Sequence, residues 1–156
     1  MKLYLSQISQ LFDKIANSQV NALLLHGPNK GQIDNICNSL AKKFNLLKTS
    51  IEYSALKTQS LKILANTPNF FKQKELIRVK SAGAYIDKFI KSTLTADLLH
   101  FVVFIAEEAL ANTIIRKFFE AQNNLVSMAC YSEEEKKIEQ VILERCNNAK
   151  QNIDQN

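Results

Sequence analysis

The residues with the clearest potential for chemistry run from Ala22 to Gly31, Ala-Leu-Leu-Leu-His-Gly-Pro-Asn-Lys-Gly, an apolar strand entering a glycine-bounded turn. A Walker loop needs Gly, four residues, Gly, then Lys and Ser or Thr, so that amides, an ammonium and a hydroxyl converge on phosphates and Mg²⁺. Here only three residues separate Gly27 from Gly31, and Gln32 and Ile33 stand where the ammonium and hydroxyl belong. The turn Gly27, Pro28, Asn29, Lys30 and Gly31 therefore reads as a degenerate phosphate loop, nucleotide-like in layout and unable to hold a triphosphate. Glu107-Glu108 follows a later apolar run, as an acidic pair does in an ATPase, but without the first loop it reads as a loop pair. Arg116-Lys117 has the types of a phosphate finger and reads instead as the exposed face of a helix carrying Ile114 and Phe118. His26 and His100 border two different strands at opposite ends, with no Ser-His-Asp or Cys-His order, so both read as structural. Cys37, Cys130 and Cys146 are far apart and lack a CxxC pair, so no disulfide or zinc site is indicated, and Cys37 and Cys130, among apolar neighbours, read as core thiols. No catalytic set, no metal and no cofactor is expected.

Phe70-Phe71 is a different kind of candidate. It follows Thr67-Pro68-Asn69 and precedes Lys72-Gln73-Lys74, and two adjacent rings face one core only if the backbone bends sharply. Two readings stand side by side: an exposed anchor, contributing about 3–6 kcal/mol on entering a pocket, or a cover for the sheet edge.

The elements that must position these residues are legible from period and turn chemistry. Ile8, Leu11, Phe12 and Ile15 predict a helix over about 6–16, and Ile33, Ile36, Cys37, Leu40, Ala41 and Phe44 a stronger one after the turn. Thr49–Tyr53 alternates as a strand, and Ser54 is placed to cap a helix to about Asn66, ended by Pro68. Leu76–Val79 is the third strand, and Ile86, Phe89, Ile90 and Leu94 mark the next helix. His100–Ala106 lacks alternation, as a strand covered on both faces does. A helix over 112–121, a strand over 125–130, and a helix opening on the capping box Ser132-Glu133-Glu134-Glu135 complete the order, with 147–156 polar enough to fray. Helices between strands require parallel crossovers, so the expected fold is α/β, a doubly wound five-stranded parallel sheet. Its ligand position lies beyond the carboxyl ends of the strands, where the degenerate loop sits.

The 156 residues suffice for one core, with 46% hydrophobic and 22% charged residues. No apolar run approaches the roughly 20 residues of a membrane helix and no signal peptide is visible, so a cytoplasmic protein without membrane contact is expected. Residues 1–92 hold 14 Lys or Arg against 5 Asp or Glu, and residues 93–156 hold 6 against 10, which places the net +5 entirely in the first part. That surplus suits DNA or an acidic protein, or is simply a solvated lysine face; it lacks the interleaved arginines and stacking rings of a nucleic-acid groove.

Four motifs in order, Leu24–Gly31, Thr67–Phe71 leading to Leu76–Val79, Thr113–Glu120 and Ala129–Tyr131, resemble the delta subunit of bacterial DNA polymerase III, in its alphaproteobacterial form. The resemblance implies an AAA+-like first domain over 1–131 that has lost ATP binding, with 132–156 as a last helix or the start of a second domain. It implies a non-catalytic role in DNA replication: binding the sliding clamp, the polymerase III beta subunit, and helping to open it. Phe70 and Phe71 match the hydrophobic pair that enters a clamp pocket, often Leu-Phe in the family. Family members are about twice as long and join the other clamp-loader subunits through a collar that this chain lacks, so those partners require the missing domains, and DNA is contacted only indirectly. Lys57, Lys62, Lys72 and Lys74 are placed to steer toward an acidic clamp rim. The alternative is an atypical P-loop nucleotide-binding enzyme.

Overall fold

A computed structural model describes residues 1–57, 59–132, 141–142 and 144–150. Its core is a single parallel sheet of six strands, one more than the periodicity predicts. The strands are β1 Lys2–Leu3, β2 Ala22–His26, β3 Leu47–Glu52, β4 Glu75–Lys80, β5 Phe101–Ala106 and β6 Leu125–Ala129, in the spatial order β1-β6-β2-β5-β4-β3. The additional strand is β1, whose two residues are too short to show a period and exist only by pairing with Ser127 and Met128. The Met1 ammonium holds it there, donating to the carbonyls of Phe119, Gln122 and Leu125 at 2.7–2.8 Å, where the end of a helix favours positive charge.

Five α-helices connect the strands among the described residues: α1 Ile8–Ala16, α2 Lys30–Lys43, α3 Leu61–Asn66, α4 Lys88–Leu94 and α5 Ile114–Ala121, with 3-10 turns at Leu5–Gln7 and Tyr53–Lys57. Strand alternation divides the core between two faces. Leu23, Leu25, Val103, Ile105, Val126 and Met128 pack on Leu11 of α1 and on Ile33, Ile36, Cys37 and Leu40 of α2. Ala22, Leu24, Ile77, Val79, Val102 and Phe104 pack on Leu61, Ala65, Ile90, Leu94, Ile115 and Phe119 of α3, α4 and α5. The doubly wound reading therefore holds, and the unbroken apolar run of β5 is buried at every position because helices cover both its faces.

Two helices differ from the periodic reading. The helix predicted from Ser54 to Asn66 is broken: Tyr53–Lys57 is a 3-10 turn and α3 begins only at Leu61, with Ser60 at its N-cap. Leu61 and Ala65 reach the sheet one turn apart, and Lys57, Gln59 and Ser60 before them are polar and exposed. In α4 the apolar stripe is narrower than its composition, since Ile86 precedes the helix and is buried while Phe89 is 79% exposed. α5 starts at Ile114 rather than at 112, and β6 stops one residue before Cys130. Residues 144–150 are helical, so helix persists beyond 147, where composition predicts fraying. Glu133–Glu135 of the capping box and residues 151–156 lie outside the described residues.

Candidate functional site

All six strands are parallel, so the two candidate segments fall at opposite ends of the sheet. The turn after β2 lies at the carboxyl ends, and the stretch 67–74 before β4 lies at the amino ends.

At the carboxyl end, Gly27 adopts φ +121°, a conformation that side chains disfavour, and a Cβ there would collide with the Cys130 carbonyl oxygen. The reason is the close pairing of the loop with the end of β6: Cys130 N–H donates to the His26 carbonyl at 2.7 Å and Asn29 N–H to the Cys130 carbonyl at 3.1 Å. Gly27 N–H points to the Ala106 carbonyl at 3.4 Å and Lys30 N–H to the Pro28 carbonyl at 3.0 Å. Asn29 N-caps α2, its Oδ1 accepting Gln32 N–H at 3.1 Å, and Pro28 has no N–H to offer. Amides that a phosphate loop would aim at its ligand are thus occupied by protein carbonyls and by the cap. Gly31 is not a turn boundary. It lies in the first turn of α2, and a Cβ there would meet only Asn29 Oδ1 at 3.7 Å, so no close approach requires a glycine. Lys30 is an exposed side chain 3.8 Å from Glu107, at the rim of a cleft of about 350 Å³ that also holds Asp34, Arg78 and Lys80. Arg78 is committed to Asp34 at 2.8 Å.

Behind this loop His26 is wholly buried, neither ring nitrogen has a partner, and burial together with the charges of Arg116 and Lys2 pushes its pKa down to about 3. Arg116 corrects the sequence reading. It is only 6% exposed and pairs with Glu120 at 3.3 Å, while Ile115 and Phe119 form the buried face and Ile114 points outward. In Ile-Ile-Arg-Lys-Phe-Phe each apolar residue has an apolar neighbour, so period alone does not fix the helix's rotation. Cys37 and Cys130 are buried core thiols, burial raising Cys37 to about 11, and Cys146 is exposed.

At the amino end, Phe70 is 94% exposed and Phe71 73%, with their rings edge to face at 5.6 Å. They occupy the two central positions of a turn closed by Lys72 N–H donating to the Asn69 carbonyl at 3.1 Å, with Lys72 itself at φ +52°. Two side chains that the sequence reading did not single out for this role surround the turn. Asn69 takes the Gln73 N–H on Oδ1 at 3.1 Å and donates from Nδ2 to the Gln73 carbonyl at 2.7 Å and to Glu75 Oε1 at 2.9 Å. His100, 3% exposed, accepts Glu75 N–H on Nδ1 at 3.0 Å, which leaves its proton on Nε2 to reach the Thr67 carbonyl at 2.8 Å. Asparagine after Pro68 was a readable turn signal. His100 had none, since its partners lie 25 and 33 residues away.

No protein-family model matches the chain. Over 143 residues, 92% of its length, it is 49% identical to a protein of Rickettsia prowazekii (strain Madrid E) named probable DNA polymerase III subunit delta. Over that span the chain is homologous to DNA polymerase III subunit delta. It covers 44% of that delta relative, so it spans less than half the length of the curated protein it matches. Its fold is similar to that of the Bacillus subtilis DNA clamp loader delta protein, with a TM-score of 0.53, 15% identity, and coverage of 79% of this chain and 42% of the other delta chain. Among the described residues, no helix is long and apolar enough to cross a membrane, and no cluster of His, Cys, Asp or Glu is placed to hold a metal ion.

Proposed function

We propose that residues 1–131 act as the clamp-contacting domain of a delta-type clamp-loader subunit, inserting Phe70 and Phe71 into an apolar pocket of the sliding clamp. The observation that carries this reading is the pair itself: two phenylalanines, 94% and 73% exposed, at the two central positions of a hydrogen-bonded turn. Exposed rings of this size are unfavourable in water and gain once a pocket covers them. The name of the delta relative, and the clamp loader whose fold this chain resembles, supply the partner. Opening of the ring follows if the pocket accepts both rings only in a sprung conformation, so that binding shifts the clamp's population. Residues 132–156 then belong to the last helix or the entry to a second domain.

The domain works without ATP hydrolysis and without a cofactor. Support comes from the degenerate loop at Gly27–Gly31, whose Asn29 amide serves Cys130 and whose Asn29 side chain caps α2. In the decisive experiment the cognate sliding clamp is immobilised and the chain is passed over it, with Phe70→Ala and Phe71→Ala as comparisons. Binding is expected for the unaltered chain and at least a tenfold loss for each variant, with melting temperatures unchanged. Binding equal to the unaltered chain when Phe70→Ala and Phe71→Ala are combined, or failure of that double variant to fold, defeats the reading. Micromolar ATP binding by calorimetry would support the nucleotide-using alternative.

A further inference from the structure

From Asn66 to Lys74 no residue is buried. Burial of apolar side chains therefore does not shape this segment, and a connection free of other duties would be expected to fluctuate. It is nevertheless tied down at successive points. Asn69 grips both backbone groups of Gln73, His100 spans from Thr67 to Glu75, Gln73 Nε2 donates to the Asn45 carbonyl at 3.1 Å, and Leu47 N–H donates to the Lys74 carbonyl at 2.9 Å. The next strand is pinned to the same place, His100 N–H meeting the Ala65 carbonyl at 3.0 Å and Leu99 N–H meeting Asn66 Oδ1 at 3.2 Å. Polar ties hold in a left-handed Lys72 and two rings turned to water, all unfavourable in a free connection.

We infer that Asn69 and His100 are positioning residues that pre-form the backbone of the Phe70–Phe71 turn, so that docking need not order it. This rests on the docking reading above. His100 is suited to the task because its ring bridges the entry and exit of the segment in one rigid plane, accepting on one nitrogen and donating from the other. Asn69 fixes the tip. The partner surface that fits is an apolar pocket wide enough to take two adjacent aromatic rings. A turn free to fluctuate would have to be ordered on binding, and its affinity would fall by about tenfold or more.

The test has two arms on the 156-residue chain. In the first, amide hydrogen exchange is followed at Lys72, Gln73 and Glu75, without any partner, in the unaltered chain, in Asn69→Ala and in His100→Gln. Faster exchange confined to these amides is expected, with β2 and β5 amides unaffected; unchanged exchange overturns the inference. In the second arm, affinity for the cognate sliding clamp is measured for Asn69→Ala, Phe71→Ala and the two combined. Asn69→Ala alone is expected to weaken binding about tenfold, yet less than twofold once Phe71 is gone, because it acts through that ring. Independent, multiplicative losses overturn positioning. Because Asn69 is half-exposed and away from the core, its variant remains informative should His100→Gln fail to fold. Should Phe71→Ala leave clamp binding intact, the docking reading falls, while the exchange arm still decides whether the two residues order the turn.

Discussion

His26 is buried as a neutral ring, and its energetics have a definite sign. In the unfolded chain it takes up a proton below about pH 6.5, whereas in the fold it resists until about pH 3. The unfolded state therefore binds more protons between those values, and stability contributed by the neutral ring is lost as pH falls through that window. The loss from pH 7 to pH 5 is about 2 kcal/mol. Urea unfolding at the two pH values should show it, and His26→Leu should flatten the difference. The three thiols give a second residue-scale outcome. Cys146 should react at once with a thiol reagent in the native chain, and Cys37 and Cys130 only after denaturation, because both are buried and Cys37 is held as the thiol. A second fast thiol would contradict the packing described. Cysteine burial was legible from the apolar neighbours of Cys37 and Cys130; the orphaned state of His26 was not, because it depends on what α5 and the end of β6 bring against it.

Among elements, the turn between β2 and α2 is determined by β6 as much as by its own residues. Gly27→Ala forces a side chain into the Cys130 carbonyl at a positive φ, and should destabilise the chain by about 2–4 kcal/mol in urea unfolding. Gly31→Ala meets only Asn29 Oδ1, at an ordinary contact distance of 3.7 Å, and should be neutral to stabilising, by up to about 1 kcal/mol. Near-equal effects at the two positions would refute the geometry. The contrast shows how far local pattern reaches. The strong stripe of α2 and the apolar run of β5 were readable because burial there follows chain period directly. The break before α3 and the rotation of α5 were not, because Leu56, Leu61 and the doubled apolar residues of Ile114–Phe119 satisfy more than one packing until the sheet selects one.

On the scale of the whole molecule, the sheet separates two ends with different roles: a closed, self-paired loop at the carboxyl ends and a braced pair of rings at the amino ends. Lys72 and Lys74, part of the surplus of positive charge in residues 1–92, follow the rings directly in sequence. If the clamp's rim is acidic, association should slow as salt is raised from 50 to 500 mM while dissociation changes little, since screening acts on encounter more than on the docked rings. Stopped-flow measurement would show this, and a salt-independent association rate would exclude steering. The sequence by itself determined the class of fold and the absence of the Walker lysine and hydroxyl, because residue type and chain period are local properties. It also singled out Phe70 and Phe71, leaving their exposure open. Only the tertiary structure decided that these rings face water, that β1 joins the sheet, and that His100 reaches Thr67 and Glu75. Those outcomes depend on contacts between residues far apart in the chain, and such contacts are set when the elements pack.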